Sequence, residues 1–245
     1  MKQRLIACLL VWLTGWVASP VAADEQTLEV ARFSAQQPGS GLSEGWKPLT
    51  FKKVPKLTVY ELVRDGERVV VKAVSESSAS GLIKEVKINP KEFPIVRWSW
   101  KVENVIHKSD VRRKEGDDYP ARLYITFEYD PDKVSVGKKL KFMAGRALFG
   151  DIPIAAINYI WETRTPVGTI LDNAYTDFVK MIVVQSDPQN VGRWIKESRN
   201  LYEDYKNAFG EEPPMINGVA IMTDTDNTGE RATAYYGDIT FIKQP

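Results

Sequence analysis

The 245 residues carry 33 Lys and Arg, 32 Asp and Glu and a single His, for a formal charge of +1 at pH 7. So balanced a chain offers no clustered basic excess of the kind that neutralises nucleic-acid phosphates, and one His excludes a His-rich metal site. A hydrophobic content of 43% against 27% charged residues is that of a globular protein and excludes disorder as the default.

The N-terminus differs from the rest. Lys2 and Arg4 precede an apolar run, Leu5–Val17, and Val21-Ala22-Ala23 then offers small residues ahead of Asp24. This is the pattern of a secretory leader, residues 1–23, cleaved near Ala23, and it implies a periplasmic or secreted protein. Cleavage removes two of the basic residues, leaving 31 against 32 acidic, a net charge of −1. The single cysteine, Cys8, leaves with the leader, so the mature chain, residues 24–245, must fold in an oxidising compartment on its core alone. The most apolar later window, Phe142–Ile160, is broken by Arg146, Asp151 and Pro153. It is no membrane span, which needs about 20 mostly apolar residues.

Strand-like runs follow at short intervals: Thr27–Phe33, Trp46–Phe51, Lys56–Arg64, Arg68–Ser75, Gly81–Ile88 and Pro94–Val102. Asp65-Gly66 between two β-branched runs is a strong hairpin signal. Leu57, Val59 and Val63 alternate with Thr58, Tyr60 and Leu62, which predicts a strand covered on both faces. After a charged loop, His107–Pro120, further strands are expected at Ala121–Tyr129, Ala155–Thr163, Asp177–Ser186, Ile216–Asp224 and Ala232–Phe241. Two helices interrupt them. Val134–Phe149 shows helical spacing of Leu140, Met143, Ala144 and Ala147. The second runs from Asp187 as cap, with Pro188 in its first turn, to Gly210. The expected fold is a single mainly-β domain, a jelly-roll-like antiparallel β-sandwich with two peripheral α-helices.

Gly41-Leu42-Ser43-Glu44-Gly45 matches the pattern of a hydrolase nucleophile, but that turn needs a strand before it and a helix after it. Here a Pro/Gly/Ser loop precedes it and a strand follows, so no nucleophile is assigned. Asp224-Thr225-Asp226-Asn227-Thr228-Gly229-Glu230 opens like a calcium loop, yet the twelfth position is Tyr235 where a bidentate Glu is required, and an EF-hand is rejected. A looser calcium site completed by residues distant in sequence stays open beside a plain polar corner; no metal or other cofactor is assigned.

Arg97-Trp98-Ser99-Trp100-Lys101 alternates with period two, placing both indoles on one face and Arg97 and Lys101 on the other. With the tryptophans inward, the default for such large apolar side chains, the polar face lines a surface hollow; with them outward, the indoles form a platform for sugar rings. Asp117, Asp118 and Arg122 at the entry to a strand, Tyr124 along it, Asn158 and Trp161 on another, Asn173 in the following loop, and Asp224, Asp226 and Asn227 at the C-terminal corner complete the candidate ligand contacts. Aromatic rings with interleaved amides and charges suit polyhydroxylated ligands, the rings covering C–H faces and the polar groups binding hydroxyls. Gly218–Phe241 itself reads as two apolar runs around a polar corner, either a hairpin or a strand-to-strand crossing.

The motifs GWKPLTFKKVP, YELVRDGERVVVKA, SASGLIKEV, RWSWKVENV, GDDYPARLYITFEYD, NYIWETR, GVAIMTDTDNTGE and AYYGDITF together resemble a family of exported bacterial proteins known as domain-of-unknown-function family 3047. The resemblance implies export and one domain type; it brings no reaction and no catalytic residues. The opening strands and the closing Tyr-Gly-Asp-Ile-Thr-Phe run are also similar to jelly-roll carbohydrate-binding and galactose-binding-like sandwiches. Three functions are therefore expected in order: non-catalytic binding of a glycan or envelope component, scaffolding of a protein partner, and glycan cleavage by two carboxylates drawn from Asp117, Asp118, Glu128, Asp224 and Asp226.

Overall fold

The computed structural model describes residues 26–128, 155–186 and 188–244. Two sheets face one another. The first holds, in spatial order, β11 (Ile195–Asn200), β6 (Ile95–Val102), β13 (Arg231–Ile242), β4 (Arg68–Glu76) and β3 (Val59–Asp65), with β1 (Thr27–Ala31) also paired to β13. The second runs β2 (Trp46–Leu49), β5 (Ala79–Ile88), β12 (Ile216–Asp224), β7 (Ala121–Phe127), β8 (Ala156–Trp161), β10 (Thr176–Gln185) and β9 (Ile170–Asn173). Among the described residues all pairings are antiparallel except β8 with β10, which is parallel and so departs from the expected purely antiparallel sandwich.

Strand parity puts the core between the sheets. Trp98 and Trp100 of β6 turn inward and meet edge to face with centroids 5.3 Å apart. Across the gap Trp98 packs on Tyr159 at 5.1 Å and Trp100 on Trp161 at 6.0 Å. Leu123, Ile125 and Phe127 of β7 and Val219 and Ile221 of β12 join the same core, with Phe241 of β13 opposite. Such aromatic contacts contribute about 0.5–1.5 kcal/mol each beyond the apolar area they bury.

The β3–β4 hairpin forms where Asp-Gly predicts it, Asp65 opposite Arg68 and Gly66 at φ +62°. The C-terminal runs, by contrast, do not pair as a hairpin. β12 lies in one sheet and β13 in the other, and residues 225–230 cross between them. The β4-to-β5 passage crosses at the same place, and the two corners are laced together. Ser77 N donates to Glu230 O at 3.0 Å, Thr225 N to Ser78 O at 2.9 Å, and the Ser75 and Thr225 hydroxyls lie 2.7 Å apart.

Two further expectations are corrected. The strand buried at every position is β8, whereas β3 is an edge strand with Val59 exposed, as is Leu57 just before it. β8 is covered because Val111, Tyr119, Ile160, Met181 and Val183 build a second small core on the outer face of its sheet. The helix expected from Asp187 begins only at Leu201: α1 (Leu201–Phe209) is capped by Asn200, whose side chain accepts from Glu203 N, and ends at Gly210 in the left-handed conformation. Upstream, Gly192 at φ +77° turns the chain, and 195–200 is strand because it pairs with the edge of β6. Asp187 and the helix expected at Val134–Phe149 lie outside the described residues, so α1 is the only α-helix among those described.

Candidate polar site on the outer face of the second sheet

β7 and β8 set the floor of the site. Even-numbered Arg122 and Tyr124 point away from the inter-sheet core, and Tyr124 is paired in register with Asn158, which in turn neighbours Met181 of β10. Asp224 ends β12 just beyond Arg122's partner Met222. The segment 117–119 passes above, and Asn173 and Tyr175 reach in from the turn between β9 and β10.

Arg122 is the pivot. Its Nε donates to Asp224 Oδ1 at 2.7 Å, a second nitrogen donates to the other Asp224 oxygen and to Asp117 O, and Nη1 donates to Tyr124 Oη at 3.1 Å. The guanidinium also lies 4.3 Å from the Tyr119 ring centroid. Burial opposes its charge, but Asp224, Tyr124 and Asp117 outweigh that and hold its pKa well above the ordinary value. Arg122 and Asp224 are only 2% and 3% exposed at their side chains. Desolvation pushes the Asp224 carboxyl up, against the pull of Arg122. We take the pair as ionised, since the two-pronged contact and a third donor, Tyr119 N at 3.2 Å, all face the carboxylate.

Around this pivot the polar groups form a ring. Asn173 Nδ2 donates to both Asp117 oxygens, at 3.1 and 3.0 Å, and burial raises the Asp117 pKa. Asp118 accepts from Asn227 N at 3.3 Å and Thr228 N at 2.6 Å, which holds the sheet-crossing corner in place. Asn227 Nδ2 donates to Tyr175 Oη at 3.0 Å, and Tyr175 Oη donates to Lys114 O at 3.2 Å. Burial, then the neighbouring Asp118 charge, raises the pKa of Asp226. Burial lifts Tyr124 to about 12. Asn158 Nδ2 donates to Met181 Sδ at 3.2 Å, while its Oδ1 is buried without a partner.

Nine of the twelve residues singled out in the sequence thus come together: Asp117, Asp118, Arg122, Tyr124, Asn158, Asn173, Asp224, Asp226 and Asn227. Three do not. Trp161 belongs to the inter-sheet core, since odd-numbered positions of β8 face inward. Arg97 and Lys101 lie on the outer face of the other sheet. There Arg97 and Ser99 line a shallow hollow of about 370 Å³ with Lys196, Ser198 and Asp238, so the indoles are indeed sealed and the odd positions outward. Lys101 instead pairs with Asp65 at 2.7 Å. Missed altogether were Tyr119, masked by its position in a charged loop, and Met181, an ordinary apolar strand residue in sequence.

One oxygen from each of Asp118, Asp224 and Asp226 lies within 4.8 Å of the other two, a spacing one divalent cation can span. Asp118 and Asp224 already accept backbone and guanidinium donors, so Arg122 supplies the positive charge that such an ion would bring to Asp224.

Residues 44–240 match the family described as Protein of unknown function (DUF3047). The chain belongs to that family. No curated protein sequence matches this DUF3047 member. Among solved structures it is similar to the family 11 carbohydrate-binding module of the cellulosomal cellulase Lic26A-Cel5E of Clostridium thermocellum, at 8% identity and a TM-score of 0.41, covering 91% of this chain and 97% of that one. It is also similar to a family 12 xyloglucanase from Bacillus licheniformis, at 9% identity and a TM-score of 0.39, covering 90% and 100%. At such scores these likenesses carry no argument about the site.

Proposed function

We propose that this DUF3047 protein is an exported, jelly-roll-like sandwich that binds a polyhydroxylated ligand, a glycan or related envelope component, at the Arg122 site without altering it. The observation that carries the proposal is the convergence of amide, phenol and carboxylate groups from four separate segments on one buried guanidinium. Fixed donors and acceptors of this kind recognise hydroxyls, and the half-open rim of Asn173, Tyr175, Asp226 and Asn227 offers them to solvent. Export rests on the leader pattern of residues 1–23 and on a mature chain free of cysteine.

Binding without turnover is favoured because the carboxylates are occupied. Asp224 is held by Arg122, Asp118 by two backbone N–H groups and Asp117 by Asn173, which leaves rim Asp226 with no free carboxylate opposite it to flank a glycosidic bond. Glu128, just past the far end of β7, is six residues from Arg122 and so about 20 Å along the chain.

The mature protein, titrated calorimetrically against neutral gluco-, galacto- and amino-sugar oligosaccharides, is expected to bind at least one. Asn173→Ala and Tyr175→Ala should weaken that binding about tenfold, the scale of one or two lost hydrogen bonds, with unchanged circular dichroism. Heat from none of the panel, or affinity untouched by both substitutions, sinks the assignment.

A further inference from the structure

The loop 36–45, with its Gly41-Leu42-Ser43-Glu44-Gly45 motif, takes no part in the Arg122 site, yet its conformation is tightly specified. Gly39, Gly41 and Gly45 all adopt positive φ, at +72°, +84° and +78°. A Cβ at Gly39 or Gly41 would meet nothing, so glycine is required there by the backbone and not by crowding. Gly39 N donates to Leu62 O at 2.9 Å and Trp46 N to Ser43 O at 3.0 Å, pinning the loop across the margin where β2 and β3 are the edge strands of their sheets.

Behind the loop the sandwich does not close. A cavity of about 440 Å³ runs between the sheets, lined by Trp46 and Leu82 from one, Leu62 and Val71 from the other, and Phe33 from the N-terminal turn. That volume falls within the roughly 300–1,000 Å³ of small-molecule sites. The five side chains are buried members of the main core, so the cavity reaches into the packed interior. The unpaired polar group on its lining is Ser43 Oγ, which is buried and has no hydrogen-bond partner, whereas the Tyr60 hydroxyl donates to Ser80 O. A buried hydroxyl left unpaired on the wall of a cavity points to a group that completes it. Glu61, exposed on the edge strand β3, is the one charged residue on the lining among the described residues, and Leu42, also on it, is 42% exposed.

We propose that this inter-sheet cavity binds a slender apolar molecule with one neutral polar end, of the class of long-chain alcohols, with Ser43 meeting the polar end. The aliphatic and aromatic walls take the chain. Among the described residues no Lys or Arg stands on the lining to meet a carboxylate head, which separates alcohols from fatty acids. The inference is independent of the Arg122 site.

The test uses the mature protein and the fluorescent probe 1-aminoanthracene, displaced in turn by 1-octanol, octanoate and n-octane. Saturable probe uptake is expected, with octanol displacing it and octanoate about tenfold weaker, a difference of the size of one charged or hydrogen-bonded contact. Ser43→Ala should weaken octanol and leave octane unchanged. Leu82→Trp should abolish uptake by filling the cavity; if that variant does not fold, the Ser43→Ala comparison decides. Absence of saturable uptake, octanoate binding as well as octanol, or equal octanol affinity in Ser43→Ala each overturns the proposal, as does full uptake by a folded Leu82→Trp protein.

Discussion

Lys101 on the outer face of the first sheet and Arg122 on the outer face of the second make the same two kinds of contact. Lys101 Nζ is 2.7 Å from Asp65 and 4.3 Å from the Tyr235 ring centroid; Arg122 clasps Asp224 and lies 4.3 Å from that of Tyr119. The surroundings differ. Lys101 and Asp65 are 15% and 28% exposed, whereas Arg122 and Asp224 are all but sealed under the second small core. Water screens the first pair, so removing one member merely returns the other to solvent. In the second, the partner left behind would be a buried, uncompensated charge. Chemically alike, the two clusters therefore differ in consequence: one decorates a sheet, and the other holds a loop, a strand end and a corner together.

The largest effect follows from breaking the buried cluster. Arg122→Met should destabilise the protein by about 3–5 kcal/mol, because Asp224 and Asp117 lose the counter-charge that Arg122 brings them. The paired replacement Arg122→Met with Asp224→Leu should recover most of that loss in a urea melt. A single variant costing under about 1 kcal/mol would put Arg122 in the same class as Lys101.

Next in size is Asp118→Ala. It strands the N–H groups of Asn227 and Thr228, at about 1–3 kcal/mol for buried donors left unpaired. Hydrogen exchange should quicken at those two amides and the adjacent corner while the β3–β4 hairpin stays protected. Uniform acceleration would mean that Asp118 does not act through the corner.

How far these differences could be read in the sequence depends on the kind of signal. Alternation in Arg97–Lys101 puts the two tryptophans on one face, and Asp65-Gly66 marks its hairpin, since both are local rules of backbone and pleat; which face is buried depends on the second sheet. Burial of Arg122 is not local. It follows from loop 103–120 folding over β7 and β8, and a guanidinium flagged as a ligand contact turns out to be occupied by the protein itself. Asn158 and Trp161 were correctly placed on one strand, but their opposite parity sends one to the polar site and the other to the core. β11 escaped notice because Ile195-Lys196-Glu197-Ser198-Arg199-Asn200 carries almost no apolar pattern. It is a strand because the edge of β6 supplies hydrogen-bond partners, and Asp187-Pro188 supplied a convincing but misplaced helix start.

Asp226, at the rim between the two regimes, should respond more gently. Its carboxyl is raised by burial and by Asp118, so folding favours its protonated form. Its stabilising contribution is present below the ordinary aspartate value of about 3.9 and is lost as pH rises through the raised folded value. Asp226→Asn should accordingly melt higher than the parent at pH 7, with the gap closing towards pH 4. A gap that widens on acidification would reverse the assignment.

The smallest effect belongs to the half-buried Lys101 cluster. The Lys101 hydrogen bond holds the Asp65 carboxyl below its ordinary value, with a further contribution from Trp194 Nε1, which donates to the same oxygen at 2.6 Å. A depressed carboxylate contributes stability above its unfolded pKa and loses it as pH falls through the folded one, so this pair counts at neutral pH and fades only in acid. Solvent limits its worth. A double-mutant cycle between Lys101→Met and Asp65→Asn should return about 0.2–1 kcal/mol of coupling, shrinking further in molar salt. The same cycle on Arg122 and Asp224 should be several-fold larger and nearly salt-independent. If the two cycles agreed in size and in salt response, burial could not be what separates the faces, and the special standing of the Arg122 site would lose its physical basis.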